Sequence, residues 1–166
     1  MAQRNINNVL ILEIGGSHIE CVHTMIHLLH SKQNKIYLAC NEKLSNSVIE
    51  KDKLADLLLL PNDISKKQQF GIFFKLRKYI TGNAIGTVVI NTTEITIVRD
   101  MLLFLPKLNY VGIVHNAAKL EMSFTLTKLI GKRVRKVFVL GNYLLQHVKP
   151  APVFKVAPFF PIYFPP

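Results

Sequence analysis

Residues 9–18 read VLILEIGGSH, and residues 19–30 continue as IECVHTMIHLLH. The apolar run at 9–14 has the length of a strand. Its near lack of polar alternation suits a strand covered on both faces, as in a parallel sheet. Gly15 and Gly16 end the run. Beyond them Ile19, Val22, Ile26 and Leu29 recur at helical spacing and line one face of a helix over 19–30. Strand, glycine turn and helix in that order open a βαβ unit, and the rest of the chain repeats the alternation.

Residues 36–39 form a second strand pattern and residues 57–60, closed by Pro61, a third. The runs at 57–60 and 101–105, stopped by Pro61 and Pro106, read as buried strand and helix ends. Phe70, Phe73 and Ile80 mark a second helix. A fourth strand at 87–90 leads into Asn91-Thr92-Thr93, whose threonines are N-cap candidates, with Glu94 in the first turn where the helix dipole favours an acid. Ile95, Val98, Leu102 and Leu105 give that helix its buried stripe. The fifth strand, 110–114, ends in His115-Asn116, and a helix closed by Gly131 follows. A sixth strand at 134–140, a short helix at 143–148 and a last strand at 153–156 complete the pattern. The expected fold is α/β, a Rossmann-like three-layer sandwich around a mostly parallel sheet of about six or seven strands. It occupies residues 1–157. The stretch 158–166, PFFPIYFPP, holds too much proline for a helix or central strand and reads as a linker toward a further domain.

Composition narrows the class. Hydrophobic content of 49% with 19% charged residues excludes general disorder, and 166 residues suffice for one domain. No apolar run reaches the ~18 residues that a membrane span requires. The polar, Asn-rich start has no signal-peptide core, which points to the cytoplasm. Cys21 and Cys40 read as reduced, half-buried thiols rather than a disulfide framework. The net charge of +11 calls for an anionic partner, whether nucleic acid, a phospholipid surface or a phosphorylated substrate.

In parallel sheets the ligand lies beyond the carboxyl ends of the strands. Here those ends carry Gly15-Gly16-Ser17-His18, Asn91-Thr92-Thr93 and His115-Asn116. The diglycine turn lets backbone approach a ligand closely before a helix N-terminus; it fails the dinucleotide fingerprint and lacks a phosphate-loop lysine. His115 can hydrogen-bond a sugar hydroxyl or act as a base near neutral pH, or else serve structurally as a cap. His23, His27 and His30 share a helix face with Glu20 and Thr24, and that face reads as solvated rather than metal-binding. Lys66, Lys67, Lys75, Arg77 and Lys78 share a helix with Phe70, Phe73 and Phe74, while Lys128, Lys132, Arg133, Arg135 and Lys136 surround Gly131. A basic helix with an aromatic face suits an anionic bilayer; the competing reading has the aromatics in the core and the lysines merely solvated. Neither cluster has the aromatic interleaving of single-strand binders, so nucleic acid is not an expected partner.

Taken together, VLILEIGGSH at 9–18, VVINT at 88–92, GIVHN at 112–116, VFVL at 137–140 and KVAPFFP at 155–161 resemble the N-terminal domain of GT-B glycosyltransferases, the bacterial family 4 type most closely. The resemblance covers nearly the whole chain in order. It implies two Rossmann-like domains facing a cleft, with the acceptor on this half and the nucleotide-sugar donor held by a C-terminal domain. By the same resemblance, Gly15, Gly16 and Ser17 contact donor phosphate or sugar. His115 contacts the transferred sugar as the catalytic candidate, and His18, Asn91, Thr92 and Asn116 line the acceptor cleft. Lys66, Lys67, Lys75, Arg77, Lys78, Lys132 and Arg133 form the membrane or anion-binding set. The resemblance implies no metal and no cofactor, the nucleotide-sugar being a substrate. Expected partners are the C-terminal domain, the donor, a glycan or lipid-linked acceptor, and an anionic membrane at the inner face of the plasma membrane. The paired glutamates and basic residues that grip the donor diphosphate in the family belong to the C-terminal half. In addition, the helix after the sixth strand opens with Gly141-Asn142 instead of serine.

Two other readings compete. One is a non-catalytic binding or membrane-docking subunit of a split enzyme. The other, disfavoured by the failed fingerprint, is a nucleotide-cofactor oxidoreductase. Half a cleft cannot exclude water or align two substrates, so this chain alone is expected to be inactive in transfer.

Overall fold

The computed structural model describes residues 7–116, 133–140 and 155–159. The chain alternates as the apolar pattern predicts. It runs through β1 (Asn8–Leu12), α1 (Ile19–Ser31), β2 (Lys35–Asn41), α2 (Glu42–Ser47), β3 (Leu54–Leu60), α3 (Lys66–Gly82), β4 (Thr87–Ile90), α4 (Thr96–Phe104), β5 (Asn109–Val114), β6 (Val134–Leu140) and β7 (Lys155–Phe159). The strands form one seven-stranded sheet in the order β3-β2-β1-β4-β5-β6-β7, and every neighbouring pair is parallel. This is the Rossmann-like α/β architecture that the sequence calls for. From β1 the chain builds outward through β2 to β3, then returns to place β4 on the other side of β1. That reversal opens a crevice above β1 and β4.

Two cores flank the sheet. Leu10, Leu12, Val88, Ile90 and Tyr110 pack with Ile72, Phe73, Leu76 and Ile80 of α3 and Val98, Met101 and Leu102 of α4. On the opposite face, Ile11, Ile36, Leu38 and Cys40 pack with Cys21, Val22, Met25 and Ile26 of α1 and Leu44 of α2. Consecutive β1 residues alternate between these clusters, as the period of two in a strand requires. From Val9 to Leu12 the central strand therefore has to be apolar, since each fully buried Leu or Ile contributes about 1.5–3 kcal/mol.

Several expectations need correction. The run at 9–14 is not all strand: β1 ends at Leu12, Glu13 is buried beyond it and Ile14 is half-buried. The strand over 57–60 begins at Leu54, behind a 3-10 turn at Lys51–Lys53, and of its residues Leu60 is buried whereas Leu59 is exposed. The cause is position, because β3 is a sheet edge and not an interior strand. In the run 101–105, Met101, Leu102 and Leu105 are buried but Leu103 and Phe104 are exposed. On α1 the face read as solvated splits: His27 and His30 are exposed, while His23 and Thr24 are buried. His23 Nε2 accepts the backbone N–H of Ile49, so this imidazole is held by the segment after α2 and faces no solvent. That short helix went unread in the sequence. Asn41 marks its start, with Oδ1 accepting from the Leu44 N–H at 2.8 Å.

β7 runs from Lys155 to Phe159, so Pro158 and Phe159 pair with Val139 and Leu140 of β6. The position is tolerable for proline because β7 is the other edge, where one side of the strand needs no ladder partner. The expected helices ending at Gly131 and at 143–148, Lys128, Lys132, and residues 160–166 lie outside the described residues.

Candidate functional site

The loops leaving β1, β4 and β5 meet at one rim, above the crevice made by the chain reversal. Backbone bonds carry the sheet into them: Glu13 N–H donates to Ala39 O, Asn91 N–H to Leu12 O and Thr93 N–H to Ile113 O, each at 2.9 Å. Gly112 makes room for the middle loop. A Cβ on it would lie 2.5 Å from Thr93 Oγ1 and 3.0 Å from Thr93 Cγ2, so a side chain would push the β4 loop off β5.

At the centre lies a residue that the sequence reading passed over, Glu13, which is fully buried. Its Oε1 accepts the Gly16 N–H at 2.8 Å and the Thr92 hydroxyl at 3.5 Å, and its Oε2 accepts from Asn91 Nδ2. Burial pushes the Glu13 carboxyl above its ordinary value, opposed by these donors and by the Gly15 backbone. Gly16 adopts φ +70, and a Cβ on it would fall 2.2 Å from Asn41 Nδ2, so the turn is wedged between Glu13 and the cap of α2. A signal for Glu13 did exist in the sequence: a carboxylate inside an apolar run must find donors or stay unburied.

Asn91 and Thr92 were expected to line a cleft. The structure buries both, with their polar atoms turned to Glu13. Asn91 Nδ2 also reaches His18 O at 3.3 Å, and its Oδ1 lies 3.3 Å from His115 Nε2. The rings of His18 and His115 stack with centroids 3.6 Å apart and planes 13° from parallel. Burial, with the neighbouring His18 second, lowers the His115 pKa from 6.5 to about 4, so at neutral pH this ring is an uncharged hydrogen-bonding group.

Glu94 is not the first-turn acid that the sequence suggested. α4 starts at Thr96 with Ile95 as its N-cap, and no side chain caps it. Thr93 Oγ1 donates to Ile90 O instead. The buried Glu94 turns toward β5, where its Oε1 accepts the N–H groups of His115 at 3.0 Å and Asn116 at 3.1 Å. It thus fixes the backbone carrying the imidazole, and burial raises its own pKa. The surface of the rim is left to Gly15, Ser17 and Asn116, which are exposed, and to His18 and His115, which are half-buried.

This set is suited to reading hydroxyl groups, since it offers donors and acceptors side by side on the neutral His115 ring and on amides. It is poorly suited to phosphate: the Gly16 N–H is already taken by a carboxylate, and a second carboxylate holds the His115 amide. Among the described residues no group of three or more His, Cys, Asp or Glu could hold a metal ion. Cys21 and Cys40 are buried thiols pushed up to about 12 by desolvation, which makes them inert.

The basic residues lie elsewhere. Lys66, Lys67, Lys75, Arg77 and Lys78 are all exposed on α3, and Arg133 is half-buried at the start of β6. The aromatic side chains of α3 do not simply face the core. Phe73 is buried, but Phe70 is 56% and Phe74 65% exposed, beside Leu103 and Phe104 of α4.

No protein-family pattern matches the sequence, and no curated protein matches it. The fold does have solved counterparts. A MurG from Acinetobacter baumannii superposes with TM-score 0.64 at 11% identity, covering 90% of this chain and 44% of that one. A glycosyltransferase from Rickettsia africae ESF-5 gives 0.63 at 12% identity, covering 92% and 43%. A glycotransferase of kitacinnamycin gives 0.51 at 11%, covering 91% and 51%. The chain thus spans about half the length of the proteins it resembles or less, and at such identities the likeness is one of fold.

Proposed function

We propose that this chain is the acceptor-side, N-terminal half of a two-domain GT-B glycosyltransferase that moves a sugar from a nucleotide-sugar to a glycan or lipid-linked acceptor. The observation that carries the reading is the acid–amide–imidazole set at the switch point, Glu13, Asn91, His115 and His18, seated where ligands of open α/β sheets bind. Fold likeness to glycosyltransferases over less than half or about half of their length supports it. His115 is the residue we assign to sugar contact, with His18 stacked on it and Asn116 at the mouth. Because Glu13 occupies the Gly16 N–H, we assign Gly15, Gly16 and Ser17 to a sugar face, and the donor's phosphates to the C-terminal domain. The ligand choice follows: the chain binds neutral saccharides in preference to a nucleoside diphosphate. Calorimetry with a panel of mono- and disaccharides and with a nucleoside diphosphate checks this; tighter binding of the diphosphate would refute the acceptor-side assignment.

A membrane-docking role belongs to the same proposal and rests on a separate observation. Phe70, Phe74, Leu103 and Phe104 form an exposed apolar patch, with Arg77 Nη1 donating to Phe104 O and Lys75 Nζ to Leu59 O. The ring pairs Phe70–Phe104 and Phe73–Phe104 tie the patch to the core. Among the described residues no helix is long and apolar enough to cross a membrane. An aromatic patch with Arg77 beside it, on a helix that also exposes Lys66, Lys67, Lys75 and Lys78, suits the surface of an anionic bilayer, and we place the protein on the inner face of the plasma membrane. Vesicles containing phosphatidylglycerol should bind the chain more tightly than neutral vesicles, and added salt should weaken binding. Replacing Phe70 and Phe74 by serine should cost at least about tenfold, each buried ring being worth about 1.5–3 kcal/mol. Equal binding to neutral and anionic vesicles would remove this role.

A further inference from the structure

The hydrogen bonds at the rim determine which nitrogen of His115 holds its proton. Asn91 has one donor end and one acceptor end. Its Nδ2 faces two oxygens, Glu13 Oε2 and the carbonyl of His18, and neither can donate while Glu13 is ionised. Every contact Glu13 makes comes from a group able to donate, the Gly16 N–H, the Asn91 amide and the Thr92 hydroxyl, as a carboxylate requires. The amide can therefore sit one way round, with Oδ1 toward His115 Nε2 at 3.3 Å. An amide oxygen only accepts, so Nε2 carries the hydrogen. Nδ1 is then the nitrogen with the free lone pair, and it is buried with no hydrogen-bond partner among the described residues.

We propose that Glu13 is a positioning residue: acting through Asn91, it holds His115 as the Nε2–H tautomer, with the lone pair on Nδ1. Free neutral imidazole exchanges between two tautomers, and the Asn91 contact selects one of them. The carboxylate does this from below without touching the ligand, since it is fully buried.

Glu13→Gln separates the parts. The Gln carbonyl oxygen can still take the Gly16 N–H, but its NH2 end then faces the donor end of Asn91. The His18 carbonyl still favours the original orientation, so the outcome shows which acceptor controls the amide: with Glu13 in control, Asn91 turns over, its Nδ2 meets His115 Nε2, and the hydrogen moves to Nδ1. Long-range nitrogen–proton correlation spectra of the histidine-labelled chain at pH 7 read this directly, with His115 assigned by its absence in a His115→Gln variant. The expected wild-type pattern is a pyrrole-type Nε2 and a pyridine-type Nδ1, and Glu13→Gln should reverse it. A wild-type ring protonated on Nδ1, or averaged between tautomers, overturns the proposal with no variant needed. So does a folded Glu13→Gln protein with an unchanged pattern.

Discussion

Glu13→Ala is expected to lower folding stability by about 3 kcal/mol at pH 7, read by urea unfolding. The change leaves the Gly16 N–H, Asn91 Nδ2 and Thr92 Oγ1 without their acceptor, at a site with no exposed surface of its own. Each buried donor left unpaired costs about 1–3 kcal/mol, and such costs do not simply add. Relief of the buried charge, visible in the raised carboxyl pKa, offsets part of the loss. Glu13→Gln keeps the shape and one acceptor and should lose only about 1 kcal/mol. If Glu13→Ala unfolds within about 0.5 kcal/mol of the wild type, the carboxylate is not the centre of the rim.

Acid should weaken the fold through His115, by up to about 2 kcal/mol between pH 7 and pH 5. The sign follows from the direction of the shift. Folded His115 has its pKa lowered from 6.5 to about 4, so between those values the unfolded chain binds the extra proton. Stability is present above pH 6.5 and is lost as pH falls toward 4. His23, lowered by burial, acts in the same sense. Glu13 and Glu94 act oppositely: their raised pKa values mean that lowering the pH relieves two buried charges. Partial exposure of the His115 ring reduces the figure further. Urea unfolding at pH 7 and pH 5 for wild type and His115→Gln isolates the term. The variant should show a flatter pH dependence, and identical slopes would mean that the ring is not held neutral by burial.

The alternation of strands and helices was legible because periodicity is local. Val9 to Leu12, Thr87 to Ile90 and Tyr110 to Val114 are apolar at the positions a doubly covered strand needs, and all three lie inside the sheet. What periodicity cannot express is place in the sheet. The apolar run ending at Leu60 has the look of an interior strand, yet β3 is an edge, and the residues that leave it half-open come from the strand order. At the site, the loops and their histidines were legible from their place after strands. The roles of the acids were not. Glu94 looks like a helix-start acid until α4 is seen to begin at Thr96, and Asn91 looks like a cleft residue until Glu13, 78 residues earlier, is found against its amide. Both roles depend on contacts between loops distant in sequence, where local propensity carries no information. Phe70 and Phe74 show the same limit: the helical period marks them as candidates for the core, but α3 has one buried face and they are not on it.

The claim everything else depends on is that this rim recognises sugar hydroxyls and leaves phosphate to another domain. Its most direct test is a site-resolved amide titration of the labelled chain with a saccharide panel, inorganic phosphate and a nucleoside diphosphate. The prediction is that saccharide shifts the amides of Gly15, His18, His115 and Asn116, while phosphate and the diphosphate leave Gly15 and Gly16 in place. Shifts centred on Gly15, Gly16 and Ser17 with the nucleoside diphosphate, and none with saccharide, would contradict it.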